Sequence, residues 1–137
     1  MHPTTSRSIL SCITMGETRT AMLNRDLLII RLKQPFVAWI NEADPYPDRI
    51  HTSLEAANED CAVFLIHDFA CEDIEGWLEQ CYLNVFEEVL EQWYIDPSLW
   101  PQDRSLALFK AWCEVEVHGT VIDLLIDPLL DTDYEDY

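Results

Sequence analysis

The stretch from Glu72 to Trp93 limits the fold more than any other part of the chain. Its apolar side chains fall at Ile74, Trp77, Leu78, Cys81, Tyr82, Val85, Phe86, Val89, Leu90 and Trp93. Steps of three and one, repeated without a break, place all of them on one side of an α-helix. The opposite side carries Glu72, Asp73, Glu75, Glu79, Glu87, Glu88 and Glu91. A helix with so wide an apolar stripe must bury it against other elements, because most of its stability comes from packing. Gly76 within it costs about 1 kcal/mol against alanine, little beside the stripe.

Shorter patterns supply the partners. Leu27–Lys33 is an apolar, β-branched run and is predicted as a strand buried on at least one face. Pro35 opens a helix at its first turn, with Phe36, Trp39 and Ile40 at helical spacing. Two prolines in Asp44–Asp48 make that segment a loop. Thr52 or Ser53 caps a short helix through Leu54–Ala57. Cys61–His67 is nearly all apolar, which predicts a second strand, central in its sheet.

Beyond the long helix, Asp96-Pro97 and Trp100-Pro101 bracket a turn. Asp103 or Ser105 starts a shorter helix with Leu106, Phe109 and Trp112 on its buried face. Glu114–His118 alternates strictly and predicts a third strand, and Gly119 marks a bend before Thr120–Ile122. The order β-α-(α)-β-α-α-β predicts an α+β fold. Its sheet has three strands, or four, packed by the long helix and two or three shorter ones.

Residues 1–21 hold eight Ser/Thr and little apolar periodicity, and they are expected to be a disordered leader or an over-extended start ahead of Met22. The folded domain is expected over 22–128, followed by an acidic tail over 129–137.

Charge bears on partners rather than on fold. Twenty-six acidic side chains against eight basic ones give a net charge of −18. Direct binding to nucleic acid or to anionic membranes needs lysine and arginine clusters that this chain lacks. A protein with a basic surface is the partner class left open. The odd number of cysteines, with Cys61 and Cys81 in apolar settings, reads as reduced thiols and points to the cytoplasm. No apolar run approaches the length of a transmembrane helix.

Leu23–Asn41 (LNRDLLIIRLKQPFVAWIN), Asn58–Ile66 (NEDCAVFLI) and Leu99–Leu124 (LWPQDRSLALFKAWCEVEVHGTVIDL) resemble a family of small acidic bacterial proteins that carries no assigned activity. The resemblance implies a bacterial origin and brings no catalytic or binding residue with it.

Chemistry is sparse. Glu114, Glu116 and His118 share one strand face at spacings of about 7 Å and form the candidate site for a divalent metal or for metal-dependent catalysis. Asp123 joins them only if the chain bends suitably at Gly119. His67 and Asp68 end the second strand, with Cys71 close by, as a nucleophile pair or one side of a zinc site would require. With three glycines in the chain, no phosphate loop or dinucleotide fingerprint can be written. No cofactor is expected. Arg25, Arg31 and Lys33 form a small basic cluster, expected to pair with the helix carboxylates. Trp93, Tyr94, Trp100 and Trp112 are expected to close the core, and Trp100, if exposed, is a protein-binding anchor.

The expected function is a protein-interaction or regulatory module. Its contact face is Glu75, Glu79, Glu87, Glu88 and Glu91 of the long helix together with Trp100. The alternatives are a metal-dependent enzyme at Glu114, Glu116 and His118, and a mimic of DNA that occupies a nucleic-acid-binding protein.

Overall fold

Strand pairing sets the architecture of the computed structural model, which describes residues 18–46, 50–125 and 127–132. In chain order its elements are β1 (Thr18–Met22), β2 (Arg25–Leu32), α1 (Gln34–Ala43), α2 (Leu54–Ala57), β3 (Ala62–His67), α3 (Ile74–Trp93), α4 (Leu106–Trp112), β4 (Cys113–His118) and β5 (Ile122–Leu125). Short 3-10 turns at Ala70–Asp73 and Pro97–Leu99 flank α3. The fold is α+β, as the sequence predicts.

The described chain forms two units. The larger, Asn24–Gly119, holds an antiparallel sheet in the order β3-β2-β4 together with helices α1 to α4. The other is a ribbon in which β1 pairs antiparallel with β5, Ala21 opposite Asp123 and Met22 opposite Ile122. Within the span expected as one domain, 22–128, the run after Gly119 joins the ribbon instead of adding a fourth strand to the sheet. β1 takes in residues 18–21, the last four of the expected leader or over-extended start, together with Met22. The rest of that expected leader, 1–17, lies outside the described residues, as do 133–137 of the expected acidic tail.

β2 is the spine of the larger unit. Its residues alternate between the two faces of the sheet, and Asp26, Leu28, Ile30 and Leu32 point to the helix side, where all four are buried. Phe36 and Val37 of α1, Leu78, Val85, Phe86, Val89 and Leu90 of α3, and Phe109 of α4 complete the core. The aromatic rings meet edge to face: Phe36 and Trp39 at 5.3 Å between centroids, Phe86 and Phe109 at 5.4 Å, Phe36 and Trp112 at 5.6 Å. Such pairs add about 0.5–1.5 kcal/mol each beyond the area they bury.

Caps fall where sequence logic places them. Ser53 accepts from Ala56 N at 3.1 Å, and Ser105 accepts from Leu108 N at 3.1 Å. Asp73 accepts from Gly76 N at 3.1 Å to open α3. A Cβ on Gly76 would lie 2.5 Å from the Asp73 carboxylate, so a larger residue there would oblige the cap to shift.

One strand sits elsewhere than expected. The all-apolar run predicts a central β3, but β3 is an edge strand and β2 takes the centre. Helices cover one face of the sheet, so Val63 and Leu65 on the other face stay 56% and 45% exposed. Sheet order is decided by which strands pair over long range, and a local apolar run does not encode it.

Candidate functional site

The free edge of β3 borders an open cleft in the larger unit. An antiparallel strand directs the N–H and C=O of alternate residues to opposite sides, so β3 bonds β2 with half of its backbone groups. The other half face outward, and no described strand pairs with them. Beside this edge lies a cleft of about 530 Å³. Phe64, Leu65, Ile66 and His67 line it from the strand, and Trp77, Cys81, Asn84, Val85 and Glu88 from α3. Asn24 and Arg25 stand at the start of β2, where Arg25 faces His67 across the strand pair.

The helical side of the cleft follows from spacing. Trp77, Cys81, Val85 and Glu88 recur at four, four and three, a flank of the apolar stripe that the core does not cover completely. The strand side follows from its edge position. One cross-link closes an end: Trp77 Nε1–H donates to His67 Nδ1 at 2.9 Å, with the rings 6.2 Å apart. Trp77, His67, Asp68 and Cys81 also line a second opening of about 390 Å³ on the far side of this link.

Behind the His67 end, Asp26 organises the turn into α3. Only 1% of it is exposed, and its carboxylate accepts from Cys71 N at 2.7 Å and Phe69 N at 3.3 Å. Phe69 takes a left-handed backbone, φ 68°, to aim its N–H inward. Donation from the Cys71 backbone, chief among these bonds, holds the Asp26 carboxyl below the usual carboxylate range despite burial. The Cys71 thiol's own hydrogen bond to the Asp26 carboxylate pushes the thiol up, and desolvation and the carboxylate's charge add to it. Gly119 makes room for this arrangement, since a Cβ on it would lie 2.7 Å from Cys71 Sγ.

These contacts replace the expected nucleophile pair. Cys71 is tied to Asp26 with its pKa raised, and His67 faces Trp77. A nucleophile needs the opposite, a lowered thiol beside a free imidazole.

Glu114, Glu116 and His118, the residues expected as a metal site, share the outer sheet face, and Glu116 and His118 are bonded to each other there. Glu116 binds the Arg31 guanidinium and, at 2.6 Å, His118 Nε2. Arg31, with His118, holds the Glu116 carboxyl below its ordinary range. Arg31 stands opposite Glu114 in the strand pairing, so a fixed cation occupies the ground between the two carboxylates. Among the described residues no three His, Cys, Asp or Glu side chains are grouped to hold a metal ion. Asp123 belongs to the ribbon, where its carboxylate accepts from Leu125 N at 2.9 Å.

The basic cluster pairs differently from expectation as well. Arg31 finds a strand carboxylate rather than a helical one, Lys33 Nζ donates to Lys110 O at 2.9 Å, and Arg25 donates to Asn24 O at 2.9 Å. On α3, Glu75 pairs with Lys110, and Glu87 lies 3.4 Å from Arg104. Glu79, Glu88 and Glu91 are exposed and enter no ion pair among the described residues. The carboxylate face available to a partner is thus shorter than the sequence suggests. Trp100 is no free anchor: it packs against the core, donates Nε1–H to Tyr94 O at 2.7 Å, and lies under the Arg104 guanidinium at 5.7 Å.

Sequence reasoning missed the cleft. Its signal was present in β3, where both alternating sets of residues are apolar, a pattern of a strand that buries both faces or offers one to a partner. No protein-family model, curated protein or solved structure matches the chain. Among the described residues, no helix is long and apolar enough to cross a membrane.

Proposed function

We propose that this protein is a protein-interaction module that holds an extended segment of a basic partner along the free edge of β3. One observation carries the reading: an apolar edge strand, with Val63 and Leu65 exposed, borders a cleft of about 530 Å³ walled by α3. Exposed apolar edges invite pairing with another chain, and stable proteins normally blunt them with charge, proline or a bulge. β3 has none of these from Ala62 to Ile66. A segment added here completes the outward hydrogen bonds of β3, while its side chains enter the cleft.

Charge supports a basic partner over a second copy. Two chains of net charge −18 repel, whereas a basic segment is drawn toward them, more so at low salt. The acidic helix face takes part through Glu88, which lines the cleft, with Glu91 one turn further on. Burial of Cys113 and partial burial of Cys61 and Cys81 suit packing thiols of a cytoplasmic protein.

The test is selection of peptides from a random display library on the purified protein. Selected peptides should bind the wild type and lose binding to Val63→Lys and Leu65→Lys, both exposed positions whose urea midpoints should stay unchanged. Failure to select any peptide, or equal binding to all three proteins, contradicts the proposal.

A further inference from the structure

The two ends of the cleft differ in charge, and the difference specifies the segment it takes. Trp77 and Glu88 are eleven residues apart on α3, about 16 Å along the helix axis, which matches about five residues of extended chain. The Trp77 end meets the end of β3 through the bond to His67. There the cleft lining holds one charge of each sign, Arg25, opposite His67, and Asp68.

The other end is anionic. α3 runs back along β3, so Glu88 lies toward the start of the strand, where Val89 and Trp93 of the next turn line an opening with Ala62 and Asp60. Glu88 and Asp60 are both exposed, and neither enters an ion pair among the described residues. Glu75 and Glu87, by contrast, already have Lys110 and Arg104 as partners. Arg31, close enough to Cys61 to act on it, is bound to Glu116, so an incoming cation at this end meets two carboxylates in no ion pair among the described residues.

The side-chain requirement is separate from the charge. A strand added to β3 alternates its residues between the cleft and the outer sheet face. On the outer face they extend the rows formed by Leu27 with Leu65 and by Ile29 with Val63. In the cleft they meet Phe64, Ile66, Trp77 and Val85. Both sets of positions are apolar.

Building on the proposed strand addition, we infer that the occupant is a run of about five aliphatic or aromatic residues with lysine or arginine at one end, the end seated at Glu88 and Asp60. The orientation fixes which side of the apolar run carries the cation. The Arg25 end takes an uncharged residue or a carboxylate.

Fluorescence anisotropy with four labelled peptides tests this on the full chain. All share one valine- and isoleucine-rich centre and carry two lysines or two glutamates at the amino or the carboxyl end. One lysine peptide should bind about tenfold tighter than its glutamate counterpart at low salt. In Glu88→Lys that preference should invert, and in Glu88→Gln it should shrink, because the exposed position tolerates both. Binding of all four with equal affinity, abolished by Leu65→Lys, overturns the charge assignment and leaves the strand-addition reading standing. No binding of any peptide overturns both. Sedimentation of the protein alone should show a monomer; a dimer that no peptide dissociates assigns the edge to a second copy and overturns the inference.

Discussion

Trp77 donates its indole N–H to His67 Nδ1 at 2.9 Å, joining the first turn of α3 to the last residue of β3. Only an imidazole with Nδ1 unprotonated accepts this bond, so the neutral ring carries its proton on Nε2. The pair holds helix and strand together at one end of the cleft. A double-mutant cycle with Trp77→Phe and His67→Ala should yield a coupling of about 0.5–1 kcal/mol in urea unfolding, the net worth of one exposed hydrogen bond. Additive effects would mean that the two side chains do not interact in solution.

Asp26 should impose a distinct pH dependence on stability. Its carboxyl is held low, first by the Cys71 N–H and then by the Cys71 thiol and the Phe69 N–H. The stability supplied by the ionised group is complete above the ordinary aspartate value of about 3.9, and it is lost as pH falls through the lower folded value. Asp26→Asn should therefore unfold at lower urea than the wild type at neutral pH. The gap should narrow as pH drops from about 5 to 2. Parallel midpoints across that range would contradict the assignment.

Gly119 and Cys71 form a steric pair. A methyl at Gly119 would sit 2.7 Å from Cys71 Sγ, so Gly119→Ala should destabilise by about 1–3 kcal/mol, the usual range for overpacking. Adding Cys71→Ala removes the sulfur and should recover much of that loss. Urea midpoints of the single and double variants decide it.

Cys113 should be the least reactive of the described thiols. It is 3% exposed, and burial pushes its pKa up to about 12. Alkylation at pH 8 followed by mass spectrometry should leave Cys113 unmodified in the native protein and modified in urea. Native-state labelling of Cys113 at the rate of an exposed thiol would contradict the packing described here.

The core is strict where the cleft is tolerant. Phe86 is fully buried between β2 and α4, and Phe86→Ala should cost about 3–5 kcal/mol in urea unfolding. Leu83, three residues earlier on the outer side of α3, is 41% exposed, and Leu83→Ala should cost far less.

The elements were legible in the sequence wherever one local period ran long enough. The stripe from Ile74 to Trp93 emerges as α3 because twenty residues of helical spacing outweigh one glycine. β2 and β4 emerge from their runs, and Ser53 and Ser105 cap the helices as their chemistry requires. Contacts between elements distant in sequence were not legible. β3 read as central because apolar residues of both parities normally mean burial on both faces, yet Val63 and Leu65 stay 56% and 45% exposed. Arg31 chose Glu116 rather than a helical carboxylate because β2 and β4 are neighbours in the sheet. Asp26 read as an ordinary polar residue ahead of a strand; its role depends on a turn forty-five residues away. The candidate site combines a legible helix flank with an edge whose position only strand pairing reveals.

The most direct measurement is amide hydrogen exchange on the full chain, read by NMR with and without a saturating lysine-ended apolar peptide. Strand addition predicts that alternate amides of Ala62–His67 exchange quickly in the free protein and become protected in the complex. Resonances of Trp77, Cys81 and Glu88 should shift in the same titration. Unchanged exchange along β3, with shifts confined to Glu79 and Glu91 or to the outer face of β4, would contradict the account.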